Sequence, residues 1–187
     1  TKFLVTGAFM LALATWPGRE VTAADTSHNN AESVPPAATA NVPAGAYTLD
    51  RTHASLIFRV NHLGFSNYTA RFKRFGARLQ FAPANLEGSK VVASVDADSL
   101  ETDFPDPARL DFNAVLKCPA WLDVAQFPRM EFASGHIEVT GVNTLRIHGN
   151  LTLHGVTRPI VLEATFNGGY AGHPMDPNAR IGFSARA

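Results

Sequence analysis

The chain has 187 residues, of which 45% are hydrophobic and 17% are charged, and its formal net charge is +0. This length suits a single folded domain. A neutral chain lacks the basic footprint of most nucleic-acid or anionic-membrane binders, so neither is expected as the main partner. Cys118 is the only cysteine, which excludes an intrachain disulfide and is typical of a small buried hydrophobe.

Residues 1–24 have the pattern of an export signal. Lys2 precedes the apolar run Phe3–Trp16, Pro17 and Gly18 end it, and small residues follow at 21–24. The run is shorter than the roughly 20 apolar residues of a membrane-spanning helix. A secretory signal is therefore favoured over an uncleaved anchor. This interpretation predicts a periplasmic or secreted protein with no stable membrane span after cleavage.

Residues 25–45 are rich in Asn, Ala, Ser, Thr and Pro and hold almost no large apolar residue. Such a segment cannot bury enough surface to order itself, so it is predicted to be a flexible linker. The folded domain is predicted to span residues 46–187.

Alternation of apolar and polar residues dominates the rest of the chain. Between residues 54 and 60, Ala54, Leu56, Phe58 and Val60 share one side, with Ile57 as the exception. This period predicts a strand with one buried face. Further strands are predicted at 68–73, 78–81, 91–98, 130–132, 137–139, 145–154, 160–166 and from 181 onward. About eight strands with short connections predict an all-β, antiparallel up-and-down barrel, because closure removes open edges.

Residues 99–128 break this alternation and predict a short helical insert. Asp106 and Pro107 suit an N-cap and a first helical position. Leu110, Ala114 and Cys118 recur at helical spacing, so the helix is predicted to end near Lys117. Residues 120–126 are predicted to form another helical turn. In a barrel, the insert would lie across one end.

Several motifs in this order resemble the YceI-like, polyisoprenoid-binding family. They are Tyr47–Asp50 with His53, Phe58–Gly64, Ser99–Thr102, Trp121–Pro128 and Gly149–Arg158. The resemblance implies a lipocalin-like barrel, usually exported, that holds a long isoprenoid chain or quinone tail as its ligand.

The chain departs from the family pattern at two places. The family commonly has Arg-Asp-x-His-Leu where this chain reads Phe112–Leu116, so no headgroup contact is expected there. The family also continues beyond the strand that begins at Ile181, whereas this sequence stops at Ala187. The C-terminal closing strand is therefore expected to be missing, or the barrel to close imperfectly. An unpaired edge would favour a homodimer.

An isoprenoid tail needs a long apolar channel and few polar contacts. The inward faces of the predicted strands supply candidate lipid-binding walls, and His62 extends one of these faces as a candidate headgroup contact. The predicted lipid-binding residues are Leu56, Phe58, Val60, His62, Phe72, Phe81, Val95, Phe132, Ile147, Leu151, Leu162 and Phe166. The same apolar residues would line a filled β core, and the alternation alone does not separate the two cases.

The histidines suggest an alternative, a metal- or small-molecule-dependent enzyme with its site at the barrel mouth. His53 and His62 are the obvious pair, but an odd separation places two side chains on opposite faces of a strand. Zinc needs three or four converging ligands. His148 and His154 share a polar strand face, which predicts the outside of the barrel.

The sequence contains no serine-nucleophile, phosphate-loop or zinc-protease motif. Its acidic residues form no evident catalytic pair. A non-catalytic protein without a cofactor is therefore predicted. A filled β-sandwich that serves only protein contacts is a third interpretation.

Overall fold

A computed structural model of the protein describes residues 2–5 and 42–187. The predicted signal and linker lie outside these ranges, apart from Lys2–Val5 and residues 42–45. Val42 is already buried, and Pro43 O accepts a hydrogen bond of 2.7 Å from the Tyr47 hydroxyl. The domain boundaries remain predictions.

Within the described ranges the chain forms eleven strands and one α-helix. The strands are β1 (Lys2–Val5), β2 (Gly45–Leu49), β3 (Leu56–His62), β4 (Ser66–Phe72), β5 (Phe75–Phe81), β6 (Lys90–Asp96), β7 (Leu100–Glu101), β8 (Arg129–Val139), β9 (Thr144–Leu153), β10 (Val156–Tyr170) and β11 (Arg180–Arg186). The helix is α1 (Phe112–Lys117).

Eight of these strands close a barrel in the order β1-β11-β10-β9-β8-β6-β5-β2. Every pair from β2 to β11 is antiparallel. The predicted antiparallel, lipocalin-like barrel is therefore confirmed. The seven barrel strands from β2 to β11 form one curled sheet that does not close by itself, in line with the predicted imperfect closure. Strand β1, which belongs to the predicted signal, lies between β11 and β2 and pairs in parallel with both.

The hairpin of β3 and β4 leaves the barrel wall. With β7 it forms a separate three-stranded sheet, in the register Leu56↔Phe72 and Val60↔Tyr68. Phe72 and Leu100 are buried in a cluster with Met130, at the start of β8. This second sheet therefore covers one end of the barrel, a departure from a simple meander.

Helix α1 begins later than the sequence predicts. Its N-cap is Asp111, whose side chain accepts a hydrogen bond of 2.9 Å from Ala114 N. The predicted cap, Asp106, instead closes a turn by accepting from Arg109 N. Residues 119–126 form hydrogen-bonded turns rather than helix. No helix of the described ranges is long and apolar enough to span a membrane.

The two ends of the barrel differ in packing. At one end, Tyr47, Phe81, Phe166 and Ile181 form a buried cluster, which we call the closed end. At the other end, Leu122 and Val124 of the insert pack against the second sheet, as expected for an insert across one end. The hairpin between β9 and β10 lies at this second end, because Thr152 pairs with Glu131 near the start of β8.

Candidate functional site in the barrel interior

Cross-strand pairing places the predicted wall residues of the barrel strands on the inward face, and those of β3 and β4 on one face of the second sheet. Phe132 pairs with Leu151, and Ile147 pairs with Leu162. Leu56, Phe58, Phe72 and Val95 belong to one apolar cluster, Phe81 and Phe166 to a second, and Ile147 packs against a third. Val60 and His62 follow Phe58 at even spacing and share its face. The structure thus directs the wall residues of the barrel strands to the interior and packs Leu56, Phe58 and Phe72 against one end of the barrel. Lipid contact by all of them remains a prediction.

Burial of these residues changes along the barrel. Phe72, Phe81, Phe132 and Phe166 are buried, whereas Phe58, Ile147, Leu151 and Leu162 are only half-buried. Val60 is 54% exposed.

Two further inward residues extend this exposed surface. Leu153 and Val156 pair with each other at the β9–β10 hairpin and are 38% and 53% exposed. Apolar residues that face a filled core would be buried. These inward-facing apolar side chains are therefore accessible to solvent at the end away from the closed end, and we call this the open end.

Two polar residues lie on the inward face at the open end. His62 is exposed at the end of β3, and Arg158 is exposed where β10 pairs with Leu151. Sequence reasoning missed Arg158 as a site residue. The alternation of Val156, Arg158 and Ile160 could have revealed it, because it places the arginine on the apolar side of the strand.

The closed end holds a cavity of only about 20 Å³, lined by Phe81, Leu86, Phe166 and Phe183 among others. Asn143 also lines it, and its Oδ1 is buried without a hydrogen-bond partner among the described residues. The space suits one water molecule rather than a lipid.

A larger hollow of about 400 Å³ lies on the outer face of β9, β10 and β11. It is lined by Arg146, Glu163, Thr165 and other polar residues. Glu163 is paired there with Arg186 at 3.0 Å. A polar, solvated surface of this kind does not suit an apolar chain, so the open end remains the candidate lipid site.

The structure does not unite the histidines into a site. His53 Nδ1 lies 3.2 Å from Asp50 Oδ2, in the turn before β3. His62 instead faces the Phe65 ring, with ring centroids 5.9 Å apart. His148 lies 3.6 Å from Glu138. Across residues 2–5 and 42–187, no group of three or more His, Cys, Asp or Glu side chains is placed to hold a metal ion.

A buried ionic network fixes the turn between β2 and β3. Asp50 is 6% exposed and accepts hydrogen bonds from the Thr52 hydroxyl at 2.6 Å and from Arg180 at 2.7 Å. Arg180 also donates to Asp176. Hydrogen bonds from Asn178 and then from Arg180 hold the pKa of Asp176 below its ordinary value. The network ties the start of β11 to the turn that leads into the second sheet.

The barrel, its second sheet and its apolar interior define a lipocalin-like β-barrel protein. Residues 47–187 match the family described as the YceI-like domain, and the chain belongs to that family. A UPF0312 protein of Vibrio cholerae is 34% identical over 143 residues, which cover 75% of this chain and 72% of the relative. A UPF0312 protein of Enterobacter sp. is 35% identical over 151 residues, covering 79% and 73%.

Solved structures share the fold. The Campylobacter jejuni YceI protein superposes with a TM-score of 0.56 at 28% identity, over 73% of this chain and 76% of that one. Burkholderia cenocepacia BcnA gives a TM-score of 0.58 at 22% identity, over 65% and 73%. The resemblance that the motifs suggested is therefore confirmed at the level of family and fold.

Proposed function

We propose that the protein binds an apolar polyisoprenoid or quinone-type lipid in the open end of its barrel and carries or sequesters it without catalysis. The observation that carries this proposal is the exposure of inward-facing apolar residues, above all Val60, Leu153 and Val156. Burial of apolar surface contributes about 25 cal/mol per Å², so an isoprenoid chain that covered these side chains would bind favourably. Membership of the YceI-like family supports the same ligand class.

The polar residues at the open end suit a ligand headgroup. The Arg158 guanidinium can donate hydrogen bonds to a carbonyl or phosphate oxygen, and the charge strengthens such bonds. His62 offers a second, smaller polar contact. We expect these two residues to orient the headgroup while the apolar residues hold the tail.

We also propose that the chain is exported, with residues 1–24 as the signal, residues 25–45 as the linker and residues 46–187 as the lipid-binding domain in the periplasm or outside the cell. Removal of such a signal would take β1 away and leave the facing edges of β2 and β11 unpaired. Unpaired edges favour pairing between chains, which supports the expected homodimer.

A filling substitution tests the ligand site. Leu162→Trp replaces a half-buried aliphatic side chain on the inward face, beside Ile147, with a larger aromatic one. We expect the affinity for a water-soluble short-chain quinone to fall at least about tenfold, equivalent to about 1.4 kcal/mol. Calorimetric titration with the quinone measures the affinity of each protein.

The neighbouring residue supplies a matched control. Val161 lies on the outward face of the same strand and is 40% exposed, so Val161→Trp should leave the affinity unchanged. Equal affinities in the wild type and the Leu162→Trp variant would contradict the proposed site. A wild type that binds no isoprenoid or quinone would contradict the proposed function.

A further inference from the structure

The hairpin between β3 and β4 ends in an exposed apolar turn. We define the hairpin tip as Leu63, Gly64 and Phe65. Leu63 is 79% exposed and Phe65 is 76% exposed. Phe65 N donates a hydrogen bond of 3.3 Å to His62 O, which closes the turn. Two large apolar side chains are therefore presented together at the point where the hairpin projects.

The backbone of the tip adopts a conformation that leucine disfavours. Leu63 has φ 54° and Gly64 has φ 82°. Consecutive positive φ values at a hairpin turn normally select Asn, Asp or Gly. Gly64 N donates to Asn61 Oδ1 at 2.8 Å, which helps to hold this conformation. Leucine at the first of these positions weakens the turn, and an outlier of this kind points to a role other than folding.

The tip follows directly on β3, which carries Val60 and His62 of the candidate lipid site. Val60 lies on the inward face of the same hairpin and is 54% exposed. Trp121, in the insert that covers the same end of the barrel, is 61% exposed, and tryptophan is favoured at membrane interfaces. Exposed apolar side chains are therefore found on the hairpin as well as on the insert that covers this end of the barrel.

The β3–β4 hairpin itself is positively charged although the chain is neutral overall. Leu56–Phe72 contains two arginines and no acidic residue. Arg71 is paired with Asp103 at 2.8 Å. Arg59 forms no ion pair within the described ranges. The cation behind the apolar tip complements the anionic headgroups that surround a bilayer's apolar core.

From these observations we propose that the hairpin tip inserts into the surface of a lipid bilayer and places the open end beside the membrane. A convex turn can bury both side chains in a deformable bilayer, whereas a protein partner would need a matching pocket. Insertion would let an isoprenoid ligand pass between the membrane and the barrel, and this role of the tip rests on the proposed function. The whole chain carries no net charge, so insertion of Leu63 and Phe65 contributes most of the membrane affinity. The charge of Arg59 contributes a smaller part of that affinity.

Vesicle flotation of the full chain tests the insertion. Leu63→Asn removes the apolar side chain and suits the positive φ, so the fold is preserved. We expect partition onto phosphatidylcholine vesicles to fall at least about tenfold in this variant, equivalent to about 1.4 kcal/mol, and further with Phe65→Ser added.

The matched control is Val142→Asn. Val142 is 80% exposed in the turn between β8 and β9, at the closed end, and its replacement should leave partition unchanged. A wild type that does not float, or an equal loss in the Val142→Asn and Leu63→Asn variants, would overturn the proposal.

Anionic lipid separates insertion from charge attraction. With phosphatidylglycerol added to the vesicles at low ionic strength, Arg59→Gln should weaken partition less than Leu63→Asn does. Added salt should abolish the effect of Arg59→Gln and leave that of Leu63→Asn, because screening acts on charge pairs. Partition that depends on phosphatidylglycerol and salt alone, with Leu63→Asn equal to the wild type, would be simple electrostatic adsorption and would overturn insertion.

Quinone titration in vesicle-free solution separates the two proposals. The Leu63→Asn variant should keep the wild-type affinity for a water-soluble short-chain quinone, because the tip lies outside the barrel interior. A protein that floats but does not bind quinone would support membrane insertion by the hairpin tip and contradict the proposed function. A protein that binds quinone but does not float would support the proposed function and contradict membrane insertion.

Discussion

At the scale of single residues, Asn113 shows how the helical insert is attached to the second sheet. Its Oδ1 accepts hydrogen bonds from Thr102 N at 2.9 Å and from the Thr102 hydroxyl at 2.6 Å. Its Nδ2 donates to Glu101 Oε1 at 3.0 Å. Thr102 is 3% exposed. Loss of Asn113 would leave the buried polar groups of Thr102 without these hydrogen bonds and would lower the free energy of unfolding by about 1–3 kcal/mol.

The Glu101 carboxylate makes this attachment sensitive to pH. The hydrogen bond from Asn113, followed by that from Asp103 N, holds the pKa of Glu101 below its ordinary value of 4.5. A carboxyl group with a lowered pKa in the folded state stabilises the fold above its ordinary pKa. That stability is lost as the pH falls through the folded-state pKa.

We expect the free energy of unfolding to decline less steeply in Glu101→Gln than in the wild type as the pH falls from about 7 to about 3. Urea unfolding at a series of pH values measures both slopes. Asp96 and Asp176 also have lowered pKa values, so some decline persists in the variant. Identical slopes in the two proteins would show that Glu101 contributes nothing to the pH dependence.

At the scale of elements, the contact between β8 and β9 requires a glycine. A Cβ atom at Gly149 would lie 2.5 Å from Ala133 O and 2.5 Å from the Phe132 ring. Phe132 therefore crosses the inward face directly over this point of β9.

Gly149→Ala should reduce the free energy of unfolding by about 1–3 kcal/mol, because overpacking forces the neighbouring atoms to shift. Gly76→Ala is the matched control. Gly76 also lies within a barrel strand, but a Cβ there would meet nothing within 4 Å, so no loss is expected. Chemical unfolding of both variants measures the difference. Equal stabilities would show that Phe132 moves aside without cost.

The strands themselves could be predicted from alternation, but their partners could not. Alternation shows which side chains share a face and gives no information on pairing, so the β3–β4 hairpin was expected in the barrel wall. The sequence predicted separate strands at 130–132 and 137–139, although Phe132 and Ile137 are an odd number of positions apart. The structure has one strand, and a register shift between Ser134 and His136 turns both side chains inward.

Local helix signals were also ambiguous. Asp106 was predicted as the N-cap because a proline follows it, but Asp111 is an equally suitable cap residue. In the structure only Asp111 caps the helix, while Leu110 remains 41% exposed. The choice depends on tertiary contacts such as the Asn113–Thr102 hydrogen bonds, which no local pattern reveals.

At the scale of the whole molecule, two properties lay beyond the sequence pattern. The first is the pairing of β1 with β2 and β11 in the chain that still carries the proposed signal, because an apolar N-terminal run is the pattern of an export signal rather than of a barrel strand. The second is the exposure of inward-facing apolar residues at the open end, because inward alternation is the same for a packed core and for a lipid channel. The exposure of Leu153 and Val156 is what favours the channel.

Native mass spectrometry of the purified protein, followed by organic extraction, tests the central claim most directly. The account predicts a population whose mass exceeds that of the polypeptide by one isoprenoid or quinone, and recovery of that lipid in the extract. A ligand-free mass that stays unchanged after incubation with isoprenoids and quinones would contradict it and favour a filled β core.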